Sequence, residues 1–426
     1  MGRFMSCCTR NLKPPSIKGD VNLKQKIPGS WKLLLFLVAW WGGWLAVARL
    51  GGTFFISDAT VLLVISCLVA LIFGGVAAHF LLLAHAPVGR GISAVSIPRS
   101  ITVFRKRWLP WAVIVVQLVL FFLSLRAFLT AENFRDLVYE DAGGIWGSLV
   151  VIYLYDMLVM PIVTVYFVTM LVQSSLSRRD LLTLFIIYLL DAAIKLGRFS
   201  FYYFAVVLLA GVLTGRLKLS WIRGGALGIA IMLLGVMFFS VRYGSTLGDL
   251  ADFDIAGYFV DSILNYHIAG FAILDKFVSG EVVFPNASVP VLWLGFLEGL
   301  VSSMLKAAGL SGGGAYAILG DFLQKVIVYS DDGYYVAFGT NILPYYLDGG
   351  TAFSALAFFC VGAIICWPMN RNCETVGRFS LIVWIAMVMG IFQPVIIGPI
   401  VFVGAGLLMI DNLITYAFRQ PTAMRV

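Results

Sequence analysis

Residues 59–85 read ATVLLVISCLVALIFGGVAAHFLLLAH, a run of 27 residues without Asp, Glu, Lys or Arg. Because a helix rises about 1.5 Å per residue and the hydrocarbon core is about 30 Å thick, about 20 apolar residues can cross a bilayer. This run is therefore predicted to be a transmembrane helix. Similar runs recur along the chain and predict about ten spans, at 31–50, 59–85, 108–130, 147–173, 180–196, 199–215, 225–241, 350–368, 379–395 and 397–414.

The composition agrees with this pattern. The 426 residues are 61% apolar and only 12% charged, whereas a globular chain carries about 25% charged residues. A mean hydropathy of +0.95 reflects apolar runs over the whole length, which excludes a soluble protein and a single-pass anchor. Strands of a membrane barrel would alternate apolar and polar residues. The sequence thus predicts an all-α polytopic membrane protein in contact with lipid.

The positions of the basic residues predict the orientation of the spans. With the N-terminus in the cytoplasm, 21 of the 30 Lys and Arg residues fall on the inside, in 1–32, 86–107, 174–180, 216–224, 369–378 and 415–426. Lys and Arg concentrate in cytoplasmic loops of membrane proteins. Both termini are therefore expected in the cytoplasm, and the net charge of +8 is ascribed to orientation and not to nucleic-acid binding.

The spans divide the chain into five parts. These are a basic cytoplasmic tail (1–30), a seven-span block (31–241), a large outside loop (242–349), a three-span block (350–414) and a second cytoplasmic tail (415–426). The loop contains apolar residues at helical spacing, for example Leu264, Ile268, Phe271, Leu274 and Val278. Such stripes predict helices that lie in the membrane interface or re-enter against the spans.

Two motifs typical of soluble enzymes are missing from the sequence. The six cysteines lack metal-ligand spacing, and the chain has no Gly-Lys-Ser/Thr phosphate loop and no His-Glu-x-x-His. We therefore expect no metal and no cofactor. Any reaction must use substrates that reach the outer face or the bilayer.

Two arginines are candidates for binding an anionic substrate. Arg198 lies in the tight turn between two short spans, and Arg242 lies where the large loop begins. Two guanidinium groups at the outer surface could hold a pyrophosphate bidentately. The alternative is that both snorkel from helix ends to the interface.

Three ionisable residues are candidates for proton chemistry. His267 is the histidine predicted outside, where an imidazole could accept a proton from a sugar hydroxyl, or be a satisfied interfacial side chain. Asp156 and Asp191 fall within spans, where carboxylates usually face a partner or water. Asp191 stands four residues before Lys195 and can pair with it on the same helix. Asp156 has no such local partner, which keeps a proton-coupled transporter open as an alternative.

The end of the large loop carries a second group of candidates. Residues 338–350 read FGTNILPYYLDGG and hold an amide, two tyrosines, a carboxylate and a glycine pair, which are Asn341, Tyr345, Tyr346, Asp348 and Gly349–Gly350. The tyrosines can stack on sugar faces, and the glycines allow close helix approach.

On these residues the chain resembles the oligosaccharide repeat-unit polymerases of the O-antigen polymerase (Wzy) type. The likeness rests on the 338–350 segment before a late span, on the short hairpin with Gly197 and Arg198, and on one large outside loop between seven and three spans. The resemblance implies a glycosyltransferase architecture of the GT-C kind in the bacterial inner membrane.

The resemblance also implies a reaction. Such enzymes move a growing glycan from undecaprenyl pyrophosphate to a lipid-linked repeat unit at the periplasmic face, in O-antigen, capsule or exopolysaccharide synthesis, with a chain-length regulator and a flippase as partners. Under it, Arg198 and Arg242 hold the pyrophosphate, Asn341, Tyr345 and Tyr346 hold sugar, and His267 or Asp348 serves the acceptor hydroxyl. An O-antigen ligase-like transferase and a polysaccharide flippase or transporter remain alternatives.

Overall fold

In the computed structural model, the described residues are 29–51, 54–84, 104, 108–130, 155–173, 177–195, 199–218, 220, 224, 228, 230, 233–235, 257, 264–285, 291–307, 314–323, 325–330, 333–336, 339–366, 374–391 and 394–419. The first half contains α1 (Gly29–Leu50), α2 (Asp58–Ala84), α3 (Trp108–Thr130), a π-helical turn (Tyr155–Val159), α4 (Met160–Val172), α5 (Arg178–Lys195) and α6 (Phe199–Leu213). The second half contains α7 (Tyr266–Val278), a 3-10 turn (Leu292–Leu294), α8 (Phe296–Ala307), α9 (Ala315–Leu323), β1 (Ile327–Ser330), β2 (Gly333–Val336), α10 (Ile342–Cys366), α11 (Glu374–Met389), a 3-10 turn (Val395–Ile397) and α12 (Pro399–Arg419).

The predicted all-α membrane protein is confirmed at this level. Four helical segments of the described chain are long and apolar enough to cross a bilayer, namely Gly29–Leu50, Asp58–Leu81, Tyr155–Val172 and Ile342–Cys366. Four shorter apolar helices accompany them, at Trp108–Leu123, Phe199–Leu213, Thr375–Met389 and Pro399–Ile414. One antiparallel hairpin, in which Ile327 faces Val336, is the exception to helix in the described part. The count of ten spans and the inside-outside assignment stay predictions.

The helix predicted to start at 350 begins earlier. Helix α10 starts at Ile342 and continues through a kink at Gly349 and Gly350, where Gly350 has φ 66°. A positive φ is accessible to glycine at little cost. The predicted boundary therefore coincides with a bend inside one helix.

Helix α11 is the centre of the bundle, since every residue from Leu381 to Met389 is buried. With 16 residues it is about 24 Å long and ends inside the protein, where the last carbonyls of a helix have no helical donor. Indole N–H groups of helix α1 supply donors. Trp41 Nε1 donates to the Met387 carbonyl at 2.9 Å, and Trp40 Nε1 to the Val388 carbonyl at 3.2 Å.

Helices α2 and α10 make the closest crossing in the described chain. A Cβ on Gly74 would stand 1.9 Å from the Phe359 carbonyl oxygen, and one on Gly362 would stand 2.0 Å from that of Leu71. Glycine is thus required on both sides because the backbones touch, as small residues allow in membrane helix pairs.

The 242–349 segment contributes to the bundle itself. Ten residues of α7 are buried, and Asp275 on this helix accepts the backbone N–H of Ser57, just before α2, at 2.9 Å. Further along, Glu298 of α8 accepts the backbone N–H groups of Ala315 and Tyr316 at 3.0 and 2.9 Å. Since a helix N-terminus needs acceptors, Glu298 fixes the start of α9.

Candidate functional site

Three helices build an aromatic pocket around His267, which we call the His267 pocket and define by His267, Trp40, Trp44 and Tyr202. Helix α7 supplies the imidazole, α1 the two tryptophans and α6 the tyrosine. The Trp44 ring stacks on the imidazole at 4.4 Å and 17°, while Trp40 and Tyr202 meet it edge-on at 5.9 and 5.6 Å. The imidazole is thus packed against three aromatic rings from two other helices.

The imidazole in this pocket has a defined polar neighbour. His267 Nε2 lies 3.1 Å from the Tyr202 hydroxyl, and His267 is 6% exposed while Trp40, Trp44 and Tyr202 are partly buried. A phenol beside an imidazole can pass a proton in either direction. The pocket therefore has the groups needed to accept a proton from a hydroxyl that reaches Tyr202.

A second polar group lies at the other side of α6, and we call it the Lys195 cluster. It consists of Lys195 and Asp191 at the end of α5, Asp156 and Tyr155 in the π-helical turn, Ser200 in α6 and Gln117 in α3. The Lys195 ammonium lies 2.6 Å from Asp156 Oδ1 and 3.1 Å from Asp191 Oδ1. Asp156 and Asp191, which are distant in sequence, therefore share one cation.

Asp191 accepts more side-chain hydrogen bonds than Asp156 does. Tyr155 donates its hydroxyl to Asp191 Oδ1 at 2.6 Å, and Ser200 donates to Oδ2. Gln117 Nε2 in turn donates to the Tyr155 hydroxyl at 2.9 Å and to the Ile187 carbonyl at 3.1 Å. The Asp191 side chain is 2% exposed and that of Asp156 is 46% exposed, so only Asp156 is accessible.

The first turn of α6 connects the two groups. Ser200 points to Asp191 and Tyr202 to His267, two residues apart on one helix. This turn directly follows Gly197 and Arg198, the hairpin singled out by the sequence. Arg198 and Arg242 themselves lie outside the described residues, so the pyrophosphate clamp stays a prediction.

Asn341 holds backbone in place at the end of α11. Its Nδ2 donates to the Ala386 carbonyl at 3.0 Å, and its Oδ1 accepts the Ile396 N–H at 3.1 Å. A Cβ on Gly390 would come within 1.8 Å of Asn341 Nδ2. Irregular backbone inside a membrane protein needs such partners, so both functional groups of this fully buried amide are occupied by main chain.

Asp348 also binds backbone. Its two carboxylate oxygens accept the N–H groups of Leu292 and Trp293 at 3.1 and 2.7 Å, which attaches the 3-10 turn to α10. Tyr345, against Phe353 at 6.1 Å, and Tyr346 are partly buried beside the core. His267, Asn341 and Asp348 therefore occupy three different environments, and their predicted roles stay predictions.

The sequence reasoning missed several residues that the structure brings together. Trp40 and Trp44 stand four apart on α1, a spacing that places both on one face, and this was the available signal for the His267 pocket. Arg378 was expected at a cytoplasmic boundary, but it is 1% exposed and bonded to Asp411 of α12 at 2.8 Å. No short sequence motif predicts this pair, because Asp411 is 33 residues away from Arg378.

The chain was also compared with known proteins. No protein-family model matches it, and no curated protein or solved structure is significantly similar to it. The functional argument therefore rests on the geometry of these residues.

Proposed function

We propose that this protein is an inner-membrane polymerase that transfers a growing glycan from undecaprenyl pyrophosphate to a lipid-linked oligosaccharide repeat unit at the periplasmic face. The observation that supports it most is the His267 pocket, in which a titratable imidazole is enclosed by Trp40, Trp44 and Tyr202 from other helices. Aromatic faces bind the apolar faces of sugars, and the imidazole can serve the acceptor hydroxyl.

The proposed reaction needs different side chains at the leaving pyrophosphate and at the acceptor hydroxyl. The leaving pyrophosphate is weakly basic and needs cationic stabilisation more than a general acid. Lys195 is engaged by two carboxylates, and we assign this role to Arg198 and Arg242, which lie outside the described residues. The acceptor hydroxyl needs orientation and loss of a proton, which we assign to Tyr202 and His267.

A deletion strain of the source bacterium tests the proposal at the level of the product. A surface glycan reduced to one repeat unit on its final acceptor supports a polymerase. Full-length polymer that stays on its lipid carrier contradicts it and identifies a ligase, and unchanged glycan excludes both.

Variants of the His267 pocket test the mechanism. General acid-base groups contribute about 100- to 10,000-fold to rate, so His267→Gln should abolish long glycan at equal protein level, and Tyr202→Phe should shorten it. His79→Gln is the matched control, because His79 also meets a tryptophan edge-on, Trp31 at 6.0 Å, but on α2. Loss of polymer in all three variants, or in none, would contradict a specific role for the pocket.

A proton-coupled transporter of lipid-linked glycan is the second candidate. The observation that favours it is the Lys195 cluster, since carboxylates within membrane spans are costly and mark proton or ion pathways. Vesicle assays distinguish the two: translocation of a labelled lipid-linked oligosaccharide that depends on a proton gradient, without chain extension, would replace the polymerase by the transporter.

A further inference from the structure

Helix α6 makes two polar contacts on opposite sides of its first turn. Ser200 donates its hydroxyl to Asp191 of α5, and the Tyr202 hydroxyl lies 3.1 Å from His267 Nε2 of α7. A helix turns by about 100° per residue, so side chains two positions apart leave it on opposite sides. Both contacts therefore depend on the rotation of α6 about its own axis, and a change at Ser200 is transmitted to Tyr202 through one turn of helix.

The contact on the Ser200 side has a firmly held acceptor. Asp191 also accepts the Tyr155 hydroxyl at 2.6 Å and lies 3.1 Å from the Lys195 ammonium, and its side chain is 2% exposed. A carboxylate with so little access to water needs its donors, because each lost hydrogen bond leaves part of a buried charge unsatisfied. The first turn of α6 cannot rotate without breaking the bond from Ser200 to this carboxylate.

Asp191 is in turn connected to other parts of the bundle. Lys195 also binds Asp156 of the π-helical turn at 2.6 Å, and an ammonium in contact with a carboxylate favours its ionised form. Gln117 of α3 donates to the Tyr155 hydroxyl at 2.9 Å. The Lys195 cluster thus joins α3, α5 and the π-helical turn to the first turn of α6.

The contact on the Tyr202 side is sensitive to small displacements. General acid-base groups act over about 2.6–3.2 Å, and the separation of 3.1 Å between Tyr202 and His267 lies at the upper end of that range. A phenol hydroxyl lies farther from the helix axis than a serine hydroxyl, so a given rotation of α6 moves it farther. A misplacement of about 1 Å can cost about 100-fold in rate.

We propose that Asp191 and Ser200 are positioning residues that hold Tyr202 at hydrogen-bonding distance from His267 through the first turn of α6. They act through Tyr202 and have no chemical role of their own. The consequence for catalysis rests on the proposed function, in which Tyr202 and His267 serve the acceptor hydroxyl. The link between Ser200 and Tyr202 rests on the geometry alone.

NMR spectroscopy of the full-length protein with isotope-labelled histidines, in lipid nanodiscs, measures that link without any assay of glycan. The chain has three histidines, and the spectrum of His267→Gln identifies the His267 resonances. Tyr202→Phe removes the hydroxyl beside Nε2 and gives the shift that marks its loss. Ser200→Ala should move the His267 Nε2 resonance in the same direction, whereas Ser200→Thr, which keeps the hydroxyl, should leave it in place.

Thr214→Val is the matched control for loss of a hydroxyl. Thr214 directly follows α6 and donates to the Ala210 carbonyl of the same helix at 2.7 Å, so its variant should leave the His267 resonances unchanged. A resonance that stays in place in folded Ser200→Ala, or that moves equally in Thr214→Val, would overturn the proposal. If Ser200→Ala does not fold, Ser200→Cys, whose thiol is a weak donor, must show a smaller shift in the same direction, and an unmoved resonance there has the same consequence.

Glycan synthesis gives a second test, in which Ser200→Ala should shorten the polymer as Tyr202→Phe does. Because Ser200 is argued to act through Tyr202, the double variant should make polymer no shorter than that of Tyr202→Phe alone. A merely structural role of Ser200 gives additive losses instead, which would contradict the proposal. Wild-type glycan from both His267→Gln and Tyr202→Phe would contradict the proposed function, while the NMR comparison would still decide whether Ser200 positions Tyr202.

Discussion

Two groups of charged residues in the described part of the helical bundle are built differently. Arg378 and Asp411 form a pair of one cation and one anion, each 1% exposed, and Arg378 also contacts Thr169 and Thr375 hydroxyls at 3.4 Å. The Lys195 cluster has two anions for one cation and is open at Asp156. The first group is closed and balanced, whereas the second is unbalanced and accessible.

The difference indicates different roles. A balanced pair can fix helices α11 and α12 against each other, while loss of either partner leaves a buried charge. The charge on Asp156, which is 46% exposed, can be screened by solvent. We therefore expect the Arg378–Asp411 pair to contribute more to stability than the contact between Lys195 and Asp156.

The largest effect is expected from breaking the balanced pair. Arg378→Met leaves Asp411 buried without its cation and should cost about 3–5 kcal/mol in the free energy of unfolding. The double variant Arg378→Met with Asp411→Leu should recover most of that loss. Chemical unfolding in mixed micelles measures both, and equal losses in the single and double variants would contradict a role through charge pairing.

A glycine substitution at the α2–α10 crossing tests helix packing without changing any charge. Gly362→Ala brings Cβ to 2.0 Å from a backbone oxygen that cannot move alone, so we expect a loss of about 3 kcal/mol, at the upper end for overpacking. Gly406→Ala in α12 is the control, because its Cβ meets nothing within 4 Å. Should the two variants be equally stable, the crossing is looser than its geometry indicates.

The same residues show how much of the structure could be predicted from the sequence. Apolar runs identified the helices, including α2 around Gly74, since span length and composition are local properties. The Asp191–Lys195 pair was also predicted, because its members stand four residues apart on one helix. The sequence did not reveal that Asp156 joins them or that Arg378 finds Asp411, because partners on different helices depend on how those helices pack.

The predicted site shows the same limit. Asn341 and Asp348 were selected for residue type and position, and both types serve sugar binding and backbone capping equally well. The structure gives each a set of main-chain partners. Those partners lie on segments 45 to 56 residues away, where no short motif could indicate them.

A smaller effect should separate the two carboxylates of the Lys195 cluster. Asp191→Asn replaces an acceptor of two side-chain hydrogen bonds and one ion pair, and we expect a loss of about 2 kcal/mol, as for hydrogen bonds to charged groups. Asp156→Asn should cost less than Asp191→Asn at neutral pH because it removes the excess charge. Thermal unfolding of both variants in the same nanodiscs measures the difference, and the reverse order would contradict the distinction drawn between them.

The smallest effect is expected at Asp348, which lies outside both charge groups and binds only backbone N–H groups among the contacts described. Asp348→Asn keeps one carbonyl acceptor and loses the second, so one of the bonds to Leu292 and Trp293 is weakened and the cost should be about 1 kcal/mol. Glycan length should stay near that of the wild type, since Asn and Asp are comparable caps. Asp348→Leu, which removes both acceptors at similar size, is the matched comparison and should cost more stability. Loss of glycan polymer from Asp348→Asn at wild-type stability would instead show that its charge is used in the reaction, as the resemblance implies, and would move the assignment of the base from His267 to Asp348.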